Sequence, residues 1–180
     1  MMRHLDKGFS MIEILVTILI LVIGLLGLAG LQVRALTSQM EAYQRSQALI
    51  LLKDMADRID NNRINAASYV TTTPLGTNYG ACTATGAGPA GDLCAWHNAL
   101  LGSAEVDSSN NKVGAMIGAR GCITQTAAAS SGVPAQYVVA VAWQGLNITA
   151  APSITCGSGQ YGNDALRRVV ALPIDIAKLN

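Results

Sequence analysis

The sequence lacks the residue patterns on which the common enzyme classes depend. Its 180 residues contain no G-x-S-x-G turn, no glycine-rich phosphate loop ahead of a helix and no pair of histidines on one helical face. Acidic residues are few, and Asp54, Asp57 and Asp60, which stand three apart, fit a helix surface better than paired acid–base catalysis. We therefore predict that the chain is not an enzyme and uses no cofactor.

Concentrated positive charge is also missing. The formal net charge is +1, and Arg167-Arg168 is the only adjacent basic pair after residue 64. Nucleic-acid-binding domains usually carry a basic patch or stripe, whereas one such pair is explained by the solvated end of a strand. The composition predicts no nucleic-acid partner, although a DNA-uptake receptor stays open as an alternative.

What is present begins at the amino terminus. The stretch from Lys7 to Ile14 reads Lys-Gly-Phe-Ser-Met-Ile-Glu-Ile. Glu13 stands five residues after Gly8, at the start of a long apolar run. An acidic residue costs about 2.5–3.5 kcal/mol at the centre of a membrane helix on insertion scales. An ionisable group in such a segment therefore indicates a function and needs a partner. Cleavage between Gly8 and Phe9 would supply one, a new positively charged amino terminus.

The apolar run from Ile14 to Leu31 is interrupted only by Thr17. It is about long enough to cross a hydrocarbon core of roughly 30 Å and too long for the core of a secretory signal. Basic residues precede it at Arg3 and Lys7, which favours a cytoplasmic amino terminus and an exported remainder. We predict that residues 9–31 form the transmembrane helix of a single-pass inner-membrane protein.

Helical character continues beyond the apolar run, because residues 31–64 contain neither proline nor glycine. Apolar residues recur there at spacings of three and four, which predicts an amphipathic continuation over residues 32–64. The stripe consists of Leu36, Met40, Tyr43, Ala48, Leu52, Met55 and Ile59. The charged residues between them are interpreted as a solvated face: Arg34, Glu41, Arg45, Lys53, Asp57 and Arg58. One helix should run from about Phe9 to about Ile64 and end near Asn61-Asn62.

Residues 65–180 are rich in Thr, Ser, Gly, Ala and Asn and are enough for one small exported domain. In an oxidising compartment an even number of cysteines indicates disulfides, and four cysteines allow three pairings. We favour Cys82–Cys94, which closes a short loop with glycine and proline, together with Cys122–Cys156. A metal site at Cys94 and His97 is the weaker alternative, because no second closely spaced pair of ligands accompanies it.

Secondary structure can be predicted at four places in this domain. A short helix is expected from Asp92 to Leu101, capped by Asp92 and with Leu93, Trp96 and Leu100 on one side. Strands are expected over residues 120–126, 136–144 and 169–176, and Pro173 places the last at a sheet edge or at its own end. Residues 127–134 and 147–163 are expected to be loops. A long helix laid on a small antiparallel sheet is an α+β fold.

The amino-terminal motif resembles the processing site of type IV pilin precursors. The resemblance implies that residues 1–8 are a leader, that prepilin peptidase cuts after Gly8, and that Phe9 becomes the N-methylated first residue. It also implies that Glu13 is the acid used in subunit assembly. The same α+β arrangement, a long amino-terminal helix packed on a small antiparallel sheet, is implied by the resemblance.

Several pieces are further similar to the minor pilins of the PilV family, or type IV pilus modification proteins: Gly24–Gln32, Cys94–Trp96, Val141–Gln144 and Arg167–Val170. The resemblance implies a low-abundance subunit that promotes pilus assembly, and thereby attachment and twitching motility. Its partners would be the major pilin and other minor pilins, with a tip adhesin as a further candidate. It would rest in the inner membrane and then enter the surface pilus. A minor pseudopilin of a type II secretion system and a membrane-anchored periplasmic enzyme are the alternatives.

Overall fold

The computed structural model describes residues 8–77, 82–84, 86–102, 108–109, 114 and 116–177. Its main elements are α1 (Met11–Asn61), a 3₁₀ helix (Arg63–Tyr69), α2 (Pro89–Leu100), β1 (Arg120–Ala127), β2 (Ala135–Gln144) and β3 (Arg167–Ile176). A short 3₁₀ turn, Asp164–Leu166, precedes β3. A long amino-terminal helix packed on a small antiparallel sheet confirms the predicted α+β class. The chain divides after Met40 into two compact units.

The first unit is the amino-terminal part of α1. Its first turn is closed by the Ser10 carbonyl, which accepts hydrogen bonds from the backbone N–H groups of Glu13 (3.0 Å) and Ile14 (3.3 Å). The one polar side chain of the apolar run, Thr17, donates its hydroxyl to the Ile14 carbonyl at 2.8 Å. This bond matters because an unpaired hydroxyl in an apolar environment is costly. Among the described residues, one helix, α1, is long and apolar enough to cross a membrane.

The second unit has a core between α1, α2 and one face of the sheet. The later half of the predicted α1 stripe is confirmed, because Ala48, Leu52, Met55 and Ile59 are all at most 4% exposed. They pack with Trp96 and Leu100 of α2 and with apolar side chains of β1 and β2.

The prediction that Tyr43 lies on the core face is wrong, because this residue, the one early stripe position in the second unit, is 46% exposed. Counting back from Ala48 in steps of four and three reaches Gln44 and Glu41, and these are the buried and half-buried positions. Successive helical residues are about 100° apart, so a stripe shifted by one residue faces a different direction. Within the second unit, Tyr43 therefore lies on a second face of α1 that points away from the core.

The sheet is antiparallel with the order β1-β2-β3. Its central strand, β2, is covered on both faces. Alternate residues such as Val139 and Val141 face the helices, while Ala140 and Ala142 pack with Cys156 and Tyr161 on the other side. Burial on both faces explains why this strand is apolar at nearly every position rather than alternating.

The predicted strands are confirmed with small shifts in their bounds. β1 and β2 each extend by one residue, and β3 begins two residues earlier, at Arg167. β3 lies at an edge of the sheet, where Pro173 stands opposite Val138 in the ladder. An edge position suits proline because its missing N–H group then costs no ladder hydrogen bond.

Helix α2 begins earlier than predicted. Gly88 occupies the N-cap position and Pro89 follows it, which suits the fixed backbone angle of proline at the first helical position. The predicted cap at Asp92 is wrong, because this residue lies inside the first turn and its side chain bonds Arg58 and Tyr69. The predicted inner side is confirmed: Trp96 is fully buried, and its indole N–H donates to the Leu51 carbonyl of α1 at 2.9 Å.

Candidate functional site

The amino-terminal segment holds the residues that the sequence singles out for processing. Gly8 and Phe9 lie outside regular structure immediately before α1, and Phe9 is 80% exposed. The rest of the predicted leader, residues 1–7, lies outside the described residues. A peptidase could reach the Gly8–Phe9 bond because neither residue is packed against the rest of the described chain.

Glu13 lies in the first turn of α1. A carboxylate is favourable there because the first backbone N–H groups of a helix carry partial positive charge. Its side chain is exposed, and within the described part of the chain it forms no ion pair. The partner predicted for it, the amine of a cleaved Phe9, would come from another chain.

The apolar side chains between Met11 and Leu31 are exposed all round the helix, from 44% for Val16 to 87% for Met11. A helix that is apolar on every side is typical of a membrane span or of a helix buried by other helices. In the second unit, the outward face of α1 continues with Tyr43, Leu49 and Ile50, which are 46–59% exposed.

A cluster of polar contacts joins α1 to the loop after β2. One carboxylate oxygen of Glu41, Oε1, accepts from the backbone N–H groups of Leu146 (3.1 Å) and Asn147 (3.2 Å). The same oxygen accepts from Nη2 of Arg168 at 3.2 Å. The side chains of Glu41 and Arg168 are 29% and 16% exposed. The interpretation of these two charges as solvated is therefore wrong.

Gln44, one turn after Glu41, is fully buried, and neither its amide nitrogen nor its amide oxygen has a hydrogen-bond partner among the described residues. Leaving a buried polar group unpaired costs about 1–3 kcal/mol. The inward face of α1 is therefore polar and imperfectly satisfied before Ala48 and apolar after it. Glu41 and Gln44 continue the spacing of the buried stripe backwards from Ala48, but apolar Met40 and Tyr43 offer a competing stripe, so the sequence alone does not show which one is covered.

Arg167, the first residue of the basic pair predicted to be a solvated strand end, is 2% exposed, so that prediction is wrong. Its guanidinium forms a fork with Asp164, with Nε–Oδ1 at 2.7 Å and Nη2–Oδ2 at 2.8 Å. The remaining donors reach the carbonyls of Pro152, Ile154 and Cys156. The hydrogen bond from Arg167 lowers the pKa of Asp164, and the same bond raises the pKa of Arg167.

A further polar network ties α1 to α2. Asp92 accepts from Nη1 of Arg58 at 3.0 Å and from the Tyr69 hydroxyl at 2.5 Å. Arg58 also bonds Asp54, which raises the pKa of the guanidinium. Burial is the main cause of the raised pKa of Tyr69, and its bond to Asp92 adds to it. The charges of Arg58 and Asp92 thus hold two helices together, and both residues line an open surface cavity.

The four cysteines form two disulfides, Cys82–Cys94 and Cys122–Cys156, which are the predicted pairs. The Cys94 sulfur is thus not available as a thiolate ligand. His97 accepts a hydrogen bond from the Gly76 N–H at 3.2 Å through Nδ1. Within the described residues, no three His, Cys, Asp or Glu side chains stand close enough to hold a metal ion.

Two family models match the chain. Residues 3–29 match the prokaryotic N-terminal methylation motif, and residues 30–99 match the model described as type IV pilin Tt1218. Together these matches support a type IV pilin. No curated protein and no solved structure gives a match. For a pilin, the methylation motif implies processing by prepilin peptidase and assembly with other pilins, and the apolar helix that carries it indicates membrane anchoring and a pilus.

Proposed function

We propose that this pilin is a minor, low-abundance subunit that promotes assembly of a type IV pilus, and thereby attachment and twitching motility. The observation that carries the proposal is α1 itself. It has an accessible Gly8–Phe9 bond before it, an acid in its first turn and an apolar surface that the described chain leaves exposed on every side. A structural role in a fibre uses such a surface, whereas catalysis does not.

The accessible Gly8–Phe9 bond would allow processing. Prepilin peptidase would cut after Gly8, release the leader of residues 1–8 and leave Phe9 as an N-methylated terminus. Residues 9–31 would hold the subunit in the inner membrane, with residues 1–8 on the cytoplasmic side and residues 65–180 in the periplasm. The two disulfides suit the oxidising periplasm.

Entry into the fibre would exchange lipid for neighbouring helices around α1. Glu13 would then face the Phe9 amine of an adjacent subunit. Pairing these charges offsets part of their desolvation, whereas removing one partner leaves a buried charge uncompensated. The minor rather than major role rests on the likeness of Gly24–Gln32 and Arg167–Val170 to the PilV family.

The test is mass spectrometry of fibres sheared from the native cell surface. Trypsin would release the peptide Phe9–Arg34. We expect it to be heavier than its sequence by the one CH₂ unit that N-methylation adds, and far less abundant than the matching peptide of a major pilin. A Gly8→Ala strain is the control and should yield no such peptide. Finding the processed peptide only in membranes would favour a type II secretion pseudopilin. Finding residues 1–8 still attached to the protein of mature fibres would overturn the proposal.

A further inference from the structure

The first two turns of α1 in the second unit have an unusual distribution of polarity. Their outward side carries Tyr43, which is 46% exposed, while their inward side carries Glu41 and the fully buried Gln44. No residue of the segment Glu41–Gln47 belongs to the apolar core, which on α1 begins at Ala48. We call residues 41–47 the latch segment. Within the part of the chain that the structure describes, polar contacts attach it to the sheet domain.

When the contacts of the latch segment break, both charged side chains still have hydrogen-bonding groups available. Arg168 keeps other acceptors on its own side, namely the Asn147 carbonyl at 2.6 Å and the Thr149 hydroxyl at 2.7 Å. Glu41, once released, would be hydrated. Separating a buried ion pair is costly chiefly when one partner remains buried and uncompensated, and the acceptors that Arg168 keeps reduce that cost.

Gln44 favours release. In the attached state its amide nitrogen and oxygen are buried without partners among the described residues, and in the released state water would hydrogen-bond both of them. Beyond the latch segment, Ala48, Leu52 and Met55 are buried in the apolar core and would hold α1 on the sheet. Local opening of this kind is expected where apolar contacts are few and polar groups are poorly satisfied.

We propose that the latch segment is a reversible attachment, which separates from the sheet when α1 packs against neighbouring pilins in the fibre. Its use in assembly rests on the proposed function, whereas its reversibility does not. The outward Tyr43 and Ile50 give a neighbouring helix apolar surface, and release of Glu41 and Gln44 allows α1 to adjust to that helix.

Hydrogen exchange can observe the release directly. Glu41 accepts hydrogen bonds from the backbone N–H groups of Leu146 and Asn147. Their exchange in the processed chain, residues 9–180 held in lipid nanodiscs, therefore reports opening. Gln44→Met removes the unpaired side-chain amide and leaves the hydrogen bonds of Glu41 in place. The backbone N–H groups of Leu146 and Asn147 should then exchange about tenfold more slowly. Gln39→Met makes the same chemical change at an exposed position of α1 and should have no effect.

Two comparisons keep the result interpretable. Exchange at Val139 and Val141 in the central strand reports global unfolding, and Gln44→Leu is a second variant should Gln44→Met disturb the fold. Unchanged or faster exchange at Leu146 and Asn147 in a folded variant would overturn the latch.

The assembly step is measured separately, as the fraction of each variant in sheared fibres. Gln44→Met should enter fibres several-fold less than Gln39→Met, and equal entry would overturn the role in assembly. If the wild-type chain is absent from fibres, the proposed function fails while the exchange experiment still decides whether the latch exists.

Discussion

Arg167 shows how one residue can order a long irregular segment. Its guanidinium has five N–H donors, and all five are used: two on Asp164 and three on the carbonyls of Pro152, Ile154 and Cys156. The loop between β2 and β3 lacks a regular backbone ladder, so its carbonyls need partners from elsewhere. A buried fork of donors supplies them.

Replacing this arginine by lysine should therefore be far from conservative. Lys has three donors around a point charge and cannot reproduce the planar fork, so Arg167→Lys should lower the free energy of unfolding by about 2–4 kcal/mol. Denaturant unfolding of the full-length chain in detergent measures this. Arg45→Lys, at an exposed position of α1, is the matched control. A change below about 0.5 kcal/mol, the usual range for surface substitutions, would contradict this account of Arg167.

The pKa of Asp164 gives a prediction about acid stability. Arg167 lowers the pKa of Asp164 in the folded state, below the ordinary value of about 3.9 that applies when the chain is unfolded. The stability that this carboxylate contributes is therefore fully present above that ordinary value and is lost as the pH falls through the folded pKa. Unfolding measured from neutral pH to about pH 2 should show this loss. Asp164→Asn should be less stable at neutral pH and should flatten the acid limb, and an unchanged limb would show that other carboxylates cause it.

At the scale of elements, α1 has two apolar faces that differ in what covers them. Ile50 is 59% exposed on the outward face, and Leu52, two residues later, is 4% exposed in the core. Similar side chains two positions apart on one helix thus allow packing within the chain to be separated from packing between chains.

The matched pair Ile50→Ser and Leu52→Ser should separate the two roles. Leu52→Ser should lower the free energy of unfolding by about 3 kcal/mol or more, because it leaves a cavity and buries a hydroxyl. Ile50→Ser should change it by less than about 0.5 kcal/mol and yet reduce recovery in sheared fibres. If Ile50→Ser enters fibres as well as wild type does, the outward face is not an assembly surface.

The sequence pattern predicted α1 and β2 well, because a single physical cause determines the pattern of each. The strand β2 was predictable because burial on both faces keeps it apolar, and α1 was predictable because residues 31–64 contain no helix breaker. The phase of the early stripe was not predictable. Two apolar faces overlap there, and only the position of the sheet decides which one is covered.

Polar pairs between distant segments could not be predicted from the sequence. Glu41 and Arg168 stand 127 residues apart, and neither has a local pattern that distinguishes it from a solvated charge. Asp92 resembles a cap because caps are local, whereas its partners Arg58 and Tyr69 come from other elements. Among the candidate site residues, Gly8, Phe9 and Glu13 could be singled out because their motif is contiguous.

At the scale of the whole molecule, the two units have different features: one contains the stable core and the other carries the motif for processing. The core and both disulfides lie within residues 41–180, whereas the amino-terminal unit exposes apolar surface and carries the processing motif. Substitutions in the motif should consequently change processing or assembly without changing the stability of the domain. Glu13 and Gly8 belong to one contiguous segment, but substitutions at Gly8 should block leader cleavage, whereas substitutions at Glu13 should weaken assembly.

Glu13→Ala should leave export and cleavage intact, because the residue lies beyond the cut bond, and should lower recovery of the processed subunit from sheared fibres by tenfold or more. One uncompensated buried charge, the amine of Phe9 on an adjacent subunit, amounts to a loss of about 3–5 kcal/mol. Gly8→Ala should instead retain the leader and hold the chain in the membrane. Glu13→Gln separates charge from size: it keeps the shape of the side chain, so a defect as large as that of Glu13→Ala would assign the effect to charge. Wild-type recovery of both Glu13 variants would mean that the acid serves something other than pairing in the fibre.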